Sequence, residues 1–104
     1  VTGVSGSGPA YVFLMIEALA AAGVKQGLPE DMAMQLAQAT VAGAGALAVR
    51  SEESAEQLRI NVTSPNGTTQ AALEVLMRSD AGLSQLVDQA VSAARQRSQD
   101  LSNG

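Results

Sequence analysis

Met32-Ala33-Met34-Gln35-Leu36-Ala37-Gln38-Ala39-Thr40-Val41-Ala42-Gly43-Ala44-Gly45-Ala46-Leu47-Ala48-Val49 is the stretch that decides the fold. It carries no formal charge, it is rich in the best helix former, and it shows no sustained apolar–polar alternation that would make a strand. Pro29 precedes it, Glu30 and Asp31 fall in its first turn, and Arg50 follows its last residue. Acidic groups at the start and a cation at the end both suit the helix dipole. The run therefore reads as one long helix opened by Pro29. Its second half, Ala42-Gly43-Ala44-Gly45-Ala46, sets a condition. Each glycine inside a helix costs about 1 kcal/mol relative to alanine, and close approach of a neighbouring helix is the usual compensation.

Upstream, Gly3-Val4-Ser5-Gly6-Ser7-Gly8 reads as a loop, after which Pro9 suits a first helical position with Ser7 or Gly8 as cap. That first helix continues to about Lys25 and stops at Gly27, ahead of Leu28-Pro29. Downstream, Ser54-Ala55-Glu56-Gln57 matches a capping box for a short third helix ending near Val62. Ser64 to Gly67 form a turn, Thr68 or Thr69 starts a fourth helix through about Arg78, and Ser79 or Asp80 caps a fifth. In the fifth helix Leu83, Leu86, Val87, Ala90, Val91 and Ala94 make one apolar stripe, with Ser84, Gln85, Asp88, Gln89, Ser92 and Arg95 opposite. The tail Leu101 to Gly104 is expected to fray. The expectation is an all-α fold of about five helices in a single domain over residues 1–104.

The fifth helix has a wet face, whereas the first two scarcely do. A helix that is apolar all round must be covered all round, and three short helices cannot cover two such helices. Either a second copy or lipid must do it. The second helix approaches the roughly 20 residues that span a bilayer, but Gln35, Gln38 and Thr40 interrupt it. Glu17 sits at mid-length in the first helix, which is expensive in lipid. The reading is a small bundle interleaved with a second copy across a two-fold axis through helices one and two, without a membrane. Assembly beyond the dimer is left open.

Composition excludes several kinds of chemistry. The 104 residues include six Lys and Arg against ten Asp and Glu, a net charge of −4, with no basic stripe for nucleic acid. There is no histidine and no cysteine. Disulfides, thiolate nucleophiles, imidazole acid–base catalysis and the usual zinc sites are therefore absent, and no metal site is expected. A chain without cysteine suits a reducing, cytoplasmic setting. Starting at Val1 on an apolar stretch, without a basic leader, it reads as a fragment of a longer protein.

Two small, polar segments adjoin the apolar helices. Thr2 to Pro9 has glycines spaced G-x-x-G-x-G with no preceding strand, so it is no dinucleotide fingerprint and reads first as a helix cap. Ser64-Pro65-Asn66-Gly67 places proline second in a turn and Asn-Gly after it, where positive φ is tolerated. It runs into a helix start at Thr68-Thr69, which collects backbone N–H groups and hydroxyls at a positive helix end. Such a place is either an ordinary turn with a threonine cap or a cradle for carboxylate or phosphate.

Val1-Thr2-Gly3-Val4-Ser5-Gly6-Ser7-Gly8-Pro9-Ala10-Tyr11 and Asn61-Val62-Thr63-Ser64-Pro65-Asn66-Gly67-Thr68-Thr69 both resemble signatures of pyrroline-5-carboxylate reductase. Gly23-Val24-Lys25-Gln26-Gly27-Leu28-Pro29 and the order of helices resemble it too. The resemblance implies the helical C-terminal domain of an oxidoreductase of proline biosynthesis, which reduces pyrroline-5-carboxylate to L-proline with NADPH or NADH. It implies a homodimer, and an N-terminal dinucleotide-binding domain, absent from this chain, that binds most of the cofactor. The isolated fragment is accordingly expected to be inactive. By resemblance, Ser64, Gly67, Thr68 and Thr69 hold the substrate, with Thr69 as the catalytic residue at the imine nitrogen, while Asn61, Ser7 and Pro9 lie towards the cofactor. Asn66 stands where the family usually has glycine, and asparagine is the non-glycine residue best suited to a left-handed turn. Glu52 or Glu53 matches a further acidic position in uncertain register. Another imine or hydroxy-acid reductase with the same domain, or a non-catalytic oligomerisation module, is the alternative.

Overall fold

A computed structural model describes residues 1–103 as five α-helices preceded by a π-helical turn, with no strand among the described residues. The helices are α1 (Gly8–Lys25), α2 (Glu30–Arg50), α3 (Ala55–Asn61), α4 (Thr68–Leu76) and α5 (Leu83–Asn103). The all-α expectation is met. The chain divides into two compact units: Gly8–Ser54, and Val1–Ser7 together with the chain from Ala55 onward.

The first unit is the helical hairpin α1–α2. Its corner is set by local chemistry. Gly27 has φ of 104°, a conformation open to glycine at little cost. Around it the Leu28 N–H donates to the Gly23 carbonyl and the Gly27 N–H to the Val24 carbonyl, both at 3.0 Å. These are the paired bonds of a Schellman stop, and they satisfy carbonyls the helix would otherwise leave open. Leu28 then folds back over Gly23, where an added Cβ would lie 3.2 Å from its Cδ1 and 3.4 Å from the Ala33 Cβ. Pro29 is the N-cap rather than the first helical residue: its ψ is 147°, and its carbonyl accepts the Ala33 N–H at 2.9 Å.

The hairpin buries almost nothing. Its core is Ala20, Ala33 and Ala37, with Ile16 and Met34 packed against them. In α1 the four successive residues Val12 to Met15 are all exposed, Phe13 and Leu14 by about two-thirds. At 100° per residue those four side chains point to every side of the helix, so α1 is bare all round there. Every residue of α2 from Ala42 to Arg50 is exposed as well. Both helices are long and apolar enough to cross a membrane by length and composition.

Total surface makes the same point. A compact body of this mass exposes about 5400 Å², and even two separate bodies of half the mass about 6500 Å². The chain exposes 8097 Å². The surplus over the two-body figure, roughly 1500 Å², exceeds the ~800 Å² that each partner contributes to a standard interface.

The second unit corrects three expectations. Thr2–Gly6 is a π-helical turn rather than a loop, closed by the Ser7 N–H on the Thr2 carbonyl at 2.8 Å. Its hold on the rest is Gly3, which is buried and packs so closely on α5 that an added Cβ would lie 3.0 Å from the Val91 carbonyl oxygen. A tertiary contact, which glycine-rich composition does not reveal, gives this segment its shape. The fifth helix begins at Leu83, so neither Ser79 nor Asp80 caps it. Gly82 occupies the cap position, its carbonyl accepting the Leu86 N–H at 3.2 Å and its N–H donating to Gln85 Oε1 at 3.1 Å. The helix also continues through Asn103 instead of fraying at Leu101. Gly104 lies outside the described residues.

Candidate functional site

The junction between α3 and α4 is built entirely from local bonds. Past its last residue, Asn61, α3 tightens: the Val62 N–H donates to the Arg59 carbonyl and the Thr63 N–H to the Ile60 carbonyl. The Thr63 hydroxyl donates to the Arg59 carbonyl at 2.6 Å, so three donors cover the closing carbonyls of a seven-residue helix. The chain then turns at Ser64-Pro65-Asn66-Gly67, where the Gly67 N–H donates to the Ser64 carbonyl at 3.1 Å. Asn66 has φ of 62°, and no other described non-glycine residue has positive φ. Proline second and a left-handed residue third is the type II pattern; fixed φ at Pro65 excludes the type I′ form.

Gly67 is the N-cap of α4, with φ of −90° and no side-chain cap bond. Its carbonyl accepts the Ala71 N–H at 3.2 Å, the first bond of the helix. The N–H groups of Thr68, Thr69 and Gln70 therefore form the first turn without an intrahelical acceptor. With the helix dipole behind them, they favour an anion at this end. Ser64 and Thr68 are exposed and Thr69 is half-buried. From Asn61 to Gln70 no residue carries a charge, so what the junction itself offers an anion is oriented N–H groups and hydroxyls. The Gly67 N–H is used within the turn. Its contribution is lack of bulk: a Cβ would lie 3.2 Å from the Ser64 carbonyl oxygen.

Ser64, Gly67, Thr68 and Thr69 are thus brought together on one turn–helix junction. Asn61 is exposed at the end of α3, its Oδ1 accepting the Gln57 side-chain N–H at 2.8 Å. Ser7 ends the π-helical turn of the same unit, whereas Pro9 lies near the start of α1 in the other unit. Glu52 and Glu53 lie in the connection after α2 and are exposed; the Glu53 N–H donates to Ser51 Oγ at 3.0 Å.

Two residues at the junction carry roles that motif reading passes over. One is Thr63, which ties off α3. The other is Gln70, whose Oε1 accepts the Asn66 N–H. A Gln three residues after an N-cap is the sequence sign of a reach-back to the N-cap N–H, and here it reaches one residue further. Beside the junction, an open cavity of about 610 Å³ is lined by residues including Arg59, Ile60, Thr63, Pro65, Gln70 and Leu73. The hydroxyls of Ser64, Thr68 and Thr69 do not line it, so the largely apolar cavity and the polar turn are different features.

Residues 1–101 match the family model described as pyrroline-5-carboxylate reductase dimerisation. The chain belongs to that family. It is 52% identical over 101 residues to a pyrroline-5-carboxylate reductase of Synechocystis sp., covering 97% of this chain and 37% of that protein. The one from Pisum sativum is 49% identical over 102 residues, covering 98% of this chain and 37% of the relative. A solved pyrroline-5-carboxylate reductase from Coxiella burnetii superposes with a TM-score of 0.90 at 44% identity, over 96% of this chain and 36% of that one. The Plasmodium falciparum enzyme, solved with NADP bound, gives 0.88 at 37% identity over 95% of this chain and 37% of its own. The dimerisation-family chain thus spans little more than a third of the length of these relatives.

Proposed function

We propose that this chain is the helical dimerisation and substrate-binding domain of an NAD(P)H-dependent reductase that converts pyrroline-5-carboxylate to L-proline, as its relatives are named for doing. The observation that carries the reading is the uncapped first turn of α4 behind the Ser64–Gly67 turn, in a chain matching the family from residue 1 to 101. The substrate carboxylate is held by the N–H groups of the first turn and by the Ser64 and Thr68 hydroxyls. Such charge-assisted bonds contribute about 1.5–3 kcal/mol each.

Thr69 lies one position further into the helix, half-buried, where its hydroxyl meets the ring nitrogen of a substrate whose carboxylate occupies the helix end. A neutral hydroxyl is a weak acid, so its work is to fix the plane of the C=N bond as the carbon accepts hydride. The nicotinamide supplies that hydride. In this reading Asn61 touches the cofactor, and Ser7 lies nearer its nicotinamide side. On the same reading the pyrophosphate is held outside the described residues, as in relatives that are nearly three times as long.

The bare faces of α1 and α2 support a second copy as their cover, in a soluble, cytoplasmic enzyme. Lipid is the competing cover, and Glu17 midway along α1 with Gln35 and Gln38 in α2 weighs against it. Detergent-free sedimentation as a dimer agrees with the proposal; a requirement for detergent removes it. For the site, Thr69→Ala in the full-length enzyme should lower kcat/KM for pyrroline-5-carboxylate at least tenfold while leaving the KM for NADPH within about twofold. Undiminished turnover refutes the role of Thr69. A preference for other imines or keto acids refutes the substrate.

A further inference from the structure

We propose that Gln70 is a positioning residue for the carboxylate clamp, acting through the backbone of Asn66. The inference rests on the reading of the Ser64–Thr69 turn as that clamp. Gln70 is the third residue of α4, and its side chain reaches back past Gly67 so that Oε1 accepts the Asn66 N–H. Asn66 is also the residue held at φ of 62°. One side chain on the helix therefore grips the left-handed residue of the turn that precedes it.

The physical consequence is orientation. The turn has one internal backbone bond, Gly67 N–H to the Ser64 carbonyl, and that bond fixes its shape but not its tilt on α4. Ser64 sits at the far end of the turn, while the free N–H groups belong to the helix. For both to meet one carboxylate, the turn must keep a fixed attitude to the first helical turn. The Gln70–Asn66 bond is a tie between the two that bypasses the hinge at Gly67. Gln70 is half-buried and borders the same cavity as Pro65, so it is placed against the turn rather than free in solvent. The tie also holds Asn66 in a backbone region that side chains disfavour. Glycine at position 66 would enter that region freely and would depend less on the tie.

The test uses the full-length enzyme with Gln70→Met, which keeps length and helix propensity but loses the acceptor, and Gln70→Ala as a second variant lacking it. Both should raise the KM for pyrroline-5-carboxylate and the inhibition constant of L-proline in parallel, by about three- to tenfold. The KM for NADPH and kcat should stay within twofold. Asn66→Gly combined with Gln70→Met should recover at least half of the lost affinity on a logarithmic scale. A KM within twofold of the parent, a fall in kcat without a change in KM, or no recovery with Asn66→Gly overturns the proposal. Ser64→Ala and Thr68→Ala separate the two levels. If they raise KM while Gln70→Met does not, positioning by Gln70 fails and the clamp stands. If none of the three raises KM, the clamp itself fails and the role of Gln70 with it.

Discussion

Replacing Gly43 and Gly45 together by alanine puts the dimer reading at risk most directly. Both lie inside α2, both are exposed, and an added Cβ at either would meet nothing within 4 Å in this chain. Were this stretch of α2 in water, each change would improve helix propensity by about 1 kcal/mol, roughly 2 kcal/mol for the pair. Gly43 and Gly45 point about 200° apart around α2, so were this stretch covered on all sides by a second copy, each would mark a close approach of a partner helix. Two methyl groups per protomer would then enter an already filled contact, and overpacking of that kind costs about 1–3 kcal/mol. The two effects appear in different measurements. Propensity stabilises the helix whether or not a partner is present, so it drops out of the dimer dissociation constant, whereas the clash enters that constant directly. At 1.4 kcal/mol per factor of ten, the double variant should bind its partner about ten- to a hundredfold more weakly. Sedimentation equilibrium over a range of concentrations gives the constant, and urea unfolding followed by circular dichroism gives the helix term. A double variant that dimerises within threefold of the parent and resists urea better would refute the reasoning, because α2 would then face solvent.

Gly82→Ala should be the most damaging glycine replacement, since its Cβ would lie 2.3 Å from the Arg78 carbonyl oxygen and 2.7 Å from that of Leu76. These are backbone atoms that cannot swing aside, so a loss of about 3 kcal/mol and a fall in Tm of more than about 10 °C are expected, measured by thermal melting. Gly27→Ala forces a side chain to φ of 104° at the α1–α2 corner and should cost about 1–2 kcal/mol in urea unfolding. Unlike the clash expected from the Gly43 and Gly45 changes, it should act at all protein concentrations, because its cause lies within one chain.

What the sequence makes legible follows from how local each determinant is. The end of α1 and the start of α2 can be read because Gly27 freely takes a positive φ and Pro29 fixes its own φ, whatever surrounds them. The turn at Ser64–Gly67 can be read for the same reason: Pro65 fixes one angle and Asn66-Gly67 permits the next. Where the determinant lies elsewhere in the chain, the reading goes astray. Ser79 and Asp80 have the better capping side chains, yet α5 waits until Leu83, because only glycine fits at residue 82 against the Leu76 and Arg78 carbonyls. Thr2–Gly6 looks like a loop until Gly3 is seen against Val91. Gln70, third in α4, signals a reach-back bond, but not that it passes the N-cap Gly67 to end on Asn66.

The same distinction explains the alanine-rich hairpin. Alanine makes α1 and α2 good helices without giving them much to bury, and three buried alanines are a small core for helices of this length. Side chains of that size stabilise a structure only where backbones come close, and within one chain they do so only near the corner, around Ala20, Gly23, Ala33 and Ala37. Beyond that corner local propensity makes α1 and α2 helical, while their apolar surface stays largely bare within the hairpin. On the proposed dimer, such a domain forms its turn and its helices by local chemistry and packs its hairpin by association. Dilution should therefore loosen α1 and α2 before it touches the Ser64–Thr69 junction, whose bonds all lie within a dozen residues of one another.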